Sequence, residues 1–375
     1  MSSFPPADVV VIGAGVIGCS TAYHLARLGI ASVAVVEMGQ PGSGSTSRSA
    51  SMLSLQFCAD ALSLRMARYS YDRYMQFEEE MGVPIDFKRT GWLTLAGADA
   101  ADRLRAQAAL LQSQGVATEV LTPDEVRRRY PLLRVEDLAV ATWGPDDGPF
   151  DPHAIVWGYV KRAGALGARF YPGVRATSIE VQGGRAVGVH TDHGFIPAAA
   201  VVNAAGPWAA EVGRWVGLDI PLRNRVRTIL VTGPLPAVPP DHPFVEDLSA
   251  EWYFRPEGEG VLMGMGQEPA QAPDDTATRP HVVDAMIEVA AHRVPALADA
   301  TLLTVWSGVR PLTPDGLPIL GPAPGVDGLY LNAGWGGVGI IQAPIAGQLA
   351  AEAIVCGRGV TMDLGPFRLG RFAAA

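Results

Sequence analysis

The chain opens with two short apolar runs on either side of a helix. Residues 7–12 are almost wholly apolar, residues 16–28 carry apolar side chains at helical spacing, and residues 32–36 are apolar again. Short apolar runs that flank an amphipathic helix predict a β-α-β unit, whose parallel strands are buried on both faces. The first domain is therefore expected to be α/β and built on a parallel sheet.

Later segments alternate between helical and strand patterns. Helices are predicted over residues 62–81, 98–114, 122–129, 151–166, 282–291 and 336–355, and short strands around residues 170, 179, 187 and 195–202. Residues 221–301 carry longer alternating strands, which are typical of an antiparallel sheet. We predict an α/β fold (α+β overall) with two interleaved domains: one over residues 1–85, 145–220 and 302–375, the other over residues 86–144 and 221–301.

Composition narrows the class of protein. The 375 residues are 48% hydrophobic and 18% charged, with a net charge of -9. A chain of this length is expected to divide into two domains rather than form a single core. The negative net charge and the lack of a basic cluster disfavour a nucleic-acid partner.

Cysteine and histidine usage points away from disulfides and metals. Cys19, Cys58 and Cys356 are odd in number and far apart, and the seven histidines lack metal-ligand spacing. The N-terminus has no basic signal-peptide region, and polar residues such as Gln342 and Glu352 interrupt the C-terminal apolar segment. We expect no metal, no transmembrane segment and a reduced, cytoplasmic setting.

A glycine-rich turn lies between the first predicted strand and helix. It reads GAGVIG over residues 13–18, and Glu37 ends the next strand. Gly13 permits the tight turn, Gly15 lets the backbone approach a pyrophosphate, and Gly18 lets helix and strand pack closely. Glu37 is placed to accept hydrogen bonds from an adenosine ribose. This pattern predicts a dinucleotide site without separating NAD from FAD.

Small residues dominate the loop after Glu37, which reads GQPGSGSTSRSASMLS. Such a loop offers many N–H groups and hydroxyls with little bulk, which suits a second phosphate and a flat ring. The alternative is a mobile linker.

Two further patterns involve arginine. Arg310 stands between an apolar run and a turn in TVWSGVRPLTPDGLPILG. A buried arginine is costly to desolvate unless an anion meets it, so its partner is either a protein carboxylate such as Asp315 or a ligand. Arg223, Arg225 and Arg227 alternate on one strand face, which indicates a solvated face or a docking surface for a partner.

Five segments in order resemble one family, the FAD-dependent amino-acid oxidoreductases that include D-amino-acid oxidase, glycine oxidase and monomeric sarcosine oxidase. They are VVVIGAGVIG with Glu37, GSTSRSASML, VVNAAGPWA, WSGVRPLTPDGLPILG and NAGWGGVGI. The resemblance covers essentially the whole chain. It implies a Rossmann-like FAD-binding domain interleaved with a substrate domain on a large mixed or antiparallel sheet, which identifies the first and second predicted domains respectively.

The resemblance also implies the cofactor contacts. They are Gly13, Gly15, Val16, Ile17, Gly18, Glu37, Ser45, Thr46, Ala50, Ser51, Met52, Ala176, Ala205, Gly206, Gly334, Trp335, Gly336, Gly337, Val338, Gly339 and Ile340. Within GWGGVGI, glycines let the backbone approach the flavin, and the helix that follows points its positive end there. The alternative for this segment is a glycine-rich turn between strand and helix.

The same resemblance assigns the substrate contacts. Arg310 matches the arginine that holds the substrate carboxylate, and Tyr253 matches a tyrosine that hydrogen-bonds it, so these two are the predicted catalytic residues. Gly337 is also placed at the substrate. Arg255 shares a strand face with Tyr253, and either helps to bind substrate or pairs with an acid such as Glu257.

Departures from the family bear on the flavin. Gly308 stands where sarcosine oxidase attaches its flavin through cysteine, so we expect noncovalent FAD. Ile341 replaces a carboxylate-binding lysine, and Leu262 replaces an oxygen-activating lysine. The electron acceptor, oxygen or another molecule, therefore stays open.

The resemblance implies an enzyme that oxidises the C–N bond of a small amino acid. A carboxylate-bearing amine (a D-amino acid, glycine or an N-alkyl amino acid) transfers hydride to flavin N5, and the imine hydrolyses. One alternative is the flavin subunit of a proline- or sarcosine-type dehydrogenase complex, which passes electrons to a partner. Another is a flavin-binding subunit without turnover, and a homo- or hetero-oligomer is compatible with each.

Overall fold

The computed structural model describes residues 4–372. The α-helices of this part are α1 (Val16–Arg27), α2 (Ala61–Met75), α3 (Phe77–Met81), α4 (Ala101–Ser113), α5 (Pro123–Arg129), α6 (Pro152–Ala165), α7 (Ala209–Arg214), α8 (Pro280–Arg293) and α9 (Ala343–Val355). None of these helices is long and apolar enough to cross a membrane.

The strands form two large sheets and one short ribbon. They are β1 (Ala7–Ile12), β2 (Val33–Glu37), β3 (Met52–Leu53), β4 (Trp92–Ala96), β5 (Glu119–Leu121), β6 (Val140–Gly144), β7 (Gly148–Pro149), β8 (Arg169–Pro172), β9 (Ala176–Gln182), β10 (Arg185–Thr191), β11 (Gly194–Asn203), β12 (Arg223–Thr232), β13 (Phe244–Asp247), β14 (Trp252–Glu257), β15 (Gly260–Pro269), β16 (Leu302–Leu312), β17 (Ile319–Pro322) and β18 (Leu329–Ala333). The ribbon pairs β3 with β7.

The first sheet confirms the predicted β-α-β opening. Its order is β17-β18-β11-β1-β2-β8, with β10 and β9 added as antiparallel strands beside β11. Strand β1 is parallel to both β2 and β11. Val9 and Val11 pack with α1 on one face, while Val10 and Ile12 join a separate core on the other. Burial on both faces explains why these strands are continuously apolar.

The second sheet is largely antiparallel. Its order is β16-β12-β15-β14-β13-β4-β6-β5, and only β13 and β4 pair in parallel. One face packs against α8, where Phe254 and Met263 contact the core that contains Met286. The other face is turned toward the first sheet. The mixed α/β architecture thus agrees with the predicted fold class.

The position of strand β16 disagrees with the predicted domain boundary at residue 302. The boundary at residue 302 assigned this segment to the first domain, but β16 pairs with β12 from Arg223↔Leu312 to Thr232↔Leu302. Residues 302–312 therefore belong to the second sheet. The reason is that an apolar alternating run identifies a strand without identifying its partner. The rest of the division stays a prediction.

Two predicted helices have different bounds in the structure. The helix over residues 62–81 is divided into α2 and α3 at Gln76, whose backbone (φ -102°, ψ 3°) leaves the helical region. The helix over residues 336–355 begins only at Ala343. Gly334 and Gly336 have φ of +75° and +54°, which an α-helix does not accommodate. The helix predicted over residues 122–129 begins with a capping box between Thr122 and Glu125.

Replacing Gly18 with alanine tests the close packing at the start of α1. The added Cβ would overlap the carbonyl oxygen of Gly13, so the backbone must shift. We expect the free energy of unfolding to fall by about 2–3 kcal/mol, measured by urea denaturation followed by circular dichroism. The matched control is Gly164→Ala in α6, where a Cβ meets nothing within 4 Å and alanine favours the helix. Wild-type stability in Gly18→Ala would contradict this packing.

Candidate active site

A cavity of about 1090 Å³ lies between the first sheet and the open face of the second. It is lined by most of the residues that the sequence predicted: Gly13, Gly15, Val16, Ile17, Glu37, Ser45, Thr46, Ala50, Ser51, Met52, Ala176, Ala205, Gly206, Tyr253, Arg310, Gly334, Trp335, Gly336, Gly337, Val338, Gly339 and Ile340. Gly18 and Arg255 do not line it. The fold thus brings both predicted sets of contacts to one space.

The three glycines of the turn have different roles. Two of them are required by packing within the protein, and the third leaves room for a ligand. Gly13 has φ +99°, and a Cβ there would lie 2.6 Å from the carbonyl oxygen of Ala204. Gly18 packs on Gly13, so its role is within the fold. A Cβ on Gly15 would meet only Thr46 Oγ1, at an ordinary 3.7 Å. Packing does not require glycine at residue 15, whereas close approach of a ligand to the backbone does.

Helix α1 and Glu37 define the polar rim of this end of the cavity. Gly15, the N-cap of α1, offers no side chain to its first turn, although the Val16 N–H donates to Thr46 Oγ1 at 3.1 Å. The Glu37 carboxylate accepts from the N–H groups of Ala14 and Gly39, both at 2.8 Å. A helix N-terminus suits an anion, and the two N–H groups fix the carboxylate beside it.

The loop after β2 is attached to the second sheet. Ser45 Oγ donates to the carbonyl of Val309 at 2.6 Å, and Arg48 Nη1 donates to the carbonyl of Ser307 at 3.1 Å. The loop is therefore held in place by strand β16 and does not serve as a mobile linker.

Backbone strain marks the end of this loop. Ser51 is 5% exposed and has φ +54°, a region that side chains other than glycine rarely adopt. Its hydroxyl lies 3.1 Å from that of Ser49. Strained residues of this kind concentrate at functional sites, and Ser51 lines the cavity.

Arg255 does not reach the cavity. Its Nε donates to the carbonyl of Ala50 at 2.9 Å, and its Nη1 binds the carbonyl of Pro256 and the carboxylate of Glu257. The predicted substrate contact is therefore wrong for this residue, and pairing with Glu257 is what the structure has. Alternation places it on the same face as Tyr253. It lies two residues further along β14, however, where it contacts the loop over residues 45–52 (the cofactor loop) through Ala50.

Arg310, the residue predicted to bind the substrate carboxylate, has no partner among the described residues of the protein. Within residues 4–372 its guanidinium makes no hydrogen bond or ion pair, and a Cβ on Gly337 would lie 3.3 Å from its Cζ. Asp315, the alternative partner, instead pairs with Arg371 at 2.7 Å. Burial, with help from the charge of Arg227, lowers the pKa of Arg310 to about 10. A guanidinium held at this cost indicates an anionic ligand.

Tyr253 supplies a second unpaired polar group. The side chain is 4% exposed, and its hydroxyl has no hydrogen-bond partner in the described part of the chain. Buried hydroxyls are usually paired, so an orphaned one on a residue that lines the cavity points to a ligand. The guanidinium of Arg227 lies over its ring, 4.7 Å from the centroid.

Arg227 is one of several charged residues of the cavity that were not predicted from the sequence as part of the site. Arg227 is 8% exposed, and its two Nη atoms donate to the carbonyls of Gly266, Glu251 and Gly264 at 3.2–3.3 Å. The solvated-face prediction is therefore wrong for Arg227, because the strand runs from an exposed Arg223 into the interior. The apolar run ILVT after it was the available signal.

Glu246 is another cavity residue that the sequence reasoning missed. It lies on β13 directly opposite Tyr253 of β14 and lines the cavity. Burial raises the pKa of its carboxyl, while Arg227 and a contact with Trp92 oppose that shift. The neighbouring Asp247 pairs with Arg293 at 2.8 Å. Alternation along FVED was the available signal, since the two acids occupy opposite faces.

These features fit a dinucleotide at one end of the cavity and a small anion at the other. Residues 8–353 also match the family model described as FAD dependent oxidoreductase. The chain belongs to the FAD-dependent oxidoreductase family. FAD is accordingly its cofactor, and the glycine turn, Glu37, the loop over residues 45–52 and the segment over residues 334–340 are the parts of the cavity available to hold it.

Known proteins are similar to this chain over nearly its whole length. Human mitochondrial sarcosine dehydrogenase is 32% identical over 94% of this chain and 40% of its own length. The structure of L-proline dehydrogenase from P. horikoshii has a TM-score of 0.90 at 26% identity, covering 99% of this chain and 98% of that one. Glycine oxidase from Geobacillus kaustophilus has a TM-score of 0.87 at 29% identity, covering 98% and 99%. The chain spans about two fifths of the curated relatives it matches.

Replacing Gly15 with alanine tests the ligand role of the turn. The added methyl group fits among the protein atoms. It projects, however, into the space where the pyrophosphate of the cofactor is expected to approach the protein backbone. We expect FAD affinity to fall at least about tenfold, or about 1.4 kcal/mol, with the unfolding midpoint of the apoprotein unchanged. Titration of apoprotein with FAD by fluorescence gives the affinity. Unchanged affinity in Gly15→Ala would contradict the placement of FAD, and Gly164→Ala is again the control.

Proposed function

We propose that this protein oxidises the C–N bond of a small amino acid that carries one carboxylate. The observation that carries the proposal is the guanidinium of Arg310, which faces the cavity beside Gly337 with no partner among residues 4–372. Bound FAD supplies the acceptor for the hydride that leaves the substrate carbon. The resulting imine hydrolyses to a 2-oxo acid and ammonia, or to an aldehyde and a primary amine when the nitrogen is alkylated.

Arg310 and Tyr253 are the residues that bind and orient the substrate. The planar guanidinium pairs both carboxylate oxygens and fixes their plane. The orphaned hydroxyl of Tyr253 donates a further hydrogen bond to the same carboxylate. With the carboxylate held at two points, the C–N bond keeps one orientation relative to the cofactor, and orientation is a large part of catalysis.

The substrate class is supported by the names of the relatives. Sarcosine dehydrogenase, L-proline dehydrogenase and glycine oxidase are named for small amino acids with an unsubstituted, alkylated or ring nitrogen. Each name belongs to that relative. A small amino acid in this range is the class that we extend to this chain.

FAD is proposed to bind noncovalently. No cysteine or histidine lines the cavity in the described part of the chain. Gly308 stands where the resemblance would place a cysteine that attaches the flavin. A Cβ on Gly308 would lie 2.9 Å from Arg48 Cβ, so a larger residue is not accommodated without a shift. Denaturation in acid should therefore release all of the flavin into the supernatant, and flavin retained on the protein would contradict this.

A dehydrogenase that passes electrons to a partner is the second candidate. It is favoured by the absence of any lysine from the cavity lining within residues 4–372, and by the buried Leu262 in an apolar cluster. Peroxide release measured against reduction of an artificial acceptor separates the two. A cytoplasmic setting and an oligomeric state remain predictions.

Replacing Arg310 with alanine is expected to weaken substrate binding while FAD stays bound. Loss of the carboxylate partner should raise KM roughly 100- to 1000-fold, or about 3–4 kcal/mol. A panel of glycine, sarcosine, L-proline and D-amino acids under steady-state conditions supplies the substrate. The control is Arg225→Ala. Arg225 lies opposite Arg310 in the register of β12 and β16 but does not line the cavity. An unchanged KM in Arg310→Ala would contradict the assignment.

A further inference from the structure

Glu246 is an acid on the cavity face of the second sheet. In register it lies between Tyr253 of β14 and Thr94 of β4. Its surroundings on this face are apolar and aromatic, namely Met52, Trp92, Ile229, Phe244, Tyr253 and Leu262. An acid in such a place is costly to keep ionised unless a cation or a set of donors meets it.

No cation of the described chain pairs with this carboxylate at close range. Glu246 makes no ion pair within 4.0 Å. The charged and titratable groups that face it are Arg227 from β12, Arg310 from β16, Arg103 from α4 and Tyr253 from β14. The Nη atoms of Arg227 are already bound to three carbonyl oxygens. The charges of the arginines therefore oppose the rise that burial causes in the pKa of Glu246, but no arginine neutralises its carboxylate by direct contact.

The proposed reaction needs a proton acceptor near the carboxylate anchor. Alkylamines titrate near pH 10, so a small amino acid arrives mostly as the ammonium. A carbon beside an ammonium does not lose hydride readily, because the nitrogen lone pair that stabilises the developing iminium is bound to a proton. A carboxyl whose pKa is raised by burial is suited to accept such a proton.

We propose that Glu246 receives the ammonium of the substrate whose carboxylate Arg310 holds, and accepts one proton from it. The inference rests on the proposed function and deepens it. In this step one N–H bond breaks, one Oε–H bond forms and the lone pair returns to nitrogen, so no electron leaves the substrate. Bound FAD would supply the acceptor for the hydride that carbon can now release, and the proton on Glu246 returns to water when product leaves.

The opposite charges of Arg310 and Glu246 define the ligand as a zwitterion. A carboxylate at one end satisfies Arg310, and an ammonium satisfies Glu246. A 2-hydroxy acid with the same carbon skeleton has the carboxylate but no cation, so it should bind more weakly than the amino acid. This expectation gives a measurement on the wild-type protein that needs no variant.

The test uses the FAD-loaded full chain and the amino acid that reduces its flavin fastest without oxygen. The rate constant of flavin reduction divided by the substrate dissociation constant is measured from about pH 6 to pH 10 for wild type and Glu246→Gln. We expect a loss of about 100-fold at pH 7 that shrinks roughly tenfold per pH unit as free amine becomes abundant. Glu246→Asp should recover part of the loss, and Glu288→Gln, at an exposed residue of α8, is the matched control.

A loss that is the same at every pH would overturn the proposal, because a structural role for Glu246 predicts that result. Equal affinity of the wild type for the amino acid and its 2-hydroxy acid would overturn it as well, even where Glu246→Gln does not fold. If no amino acid reduces the wild-type flavin, the proposed function itself fails and the proton-transfer step fails with it. Reduction by wild type with a pH-independent defect in the variant rejects only the role of Glu246.

Discussion

The hydrogen bonds between the cofactor loop and the second sheet set the geometry of the whole site. The carbonyls of Ser307 and Val309 hold Arg48 and Ser45, and the next residue along β16 is Arg310. One strand therefore positions both the loop at the cofactor and the guanidinium at the substrate. Arg255 reinforces the same junction through Ala50. Because reaction geometry tolerates only small displacements, a shared strand is an effective way to keep the two partners in register.

Charge inside the cavity follows from the same arrangement. The second sheet places Arg310, Arg227 and Glu246 on a face that the first sheet shields from bulk water. Removing charged groups from water is costly when they are not paired at contact distance. Within the described residues, Arg227 is bound to carbonyl oxygens, whereas Arg310 and Glu246 lack a close ionic partner. The fold thus holds open one positive and one negative position, which a zwitterion fills.

The sequence was sufficient for the parts of the site that depend on local patterns. The turn over residues 13–18, Glu37 and the β-α-β unit have spacings set by the backbone, so they were predictable without a structure. Arg310 was singled out because a lone charge in an apolar run needs a partner. The family resemblance then supplied its ligand, which periodicity alone left open.

The remaining parts depend on which surfaces meet, and a single sequence does not encode that locally. Alternation places Tyr253 and Arg255 on one face of the strand. Only the fold shows that Tyr253 lines the cavity, whereas Arg255 lies outside it and binds the carbonyl of Ala50. Arg227 was interpreted as solvated because it alternates with Arg223 and Arg225 on one strand face. The segment of β16 was assigned to the first predicted domain for a similar reason, since its pattern does not identify β12 as its partner.

The most direct test compares glycine with glycinamide, or the best amino-acid substrate with its amide, as reductants of the bound flavin without oxygen. The two compounds share the C–N bond and differ in the carboxylate that Arg310 is proposed to hold. Loss of visible flavin absorbance with the amino acid, at a rate at least about 100-fold above that with the amide, is the predicted result. Equal rates with the two compounds, or no reduction by any amino acid, would contradict the account.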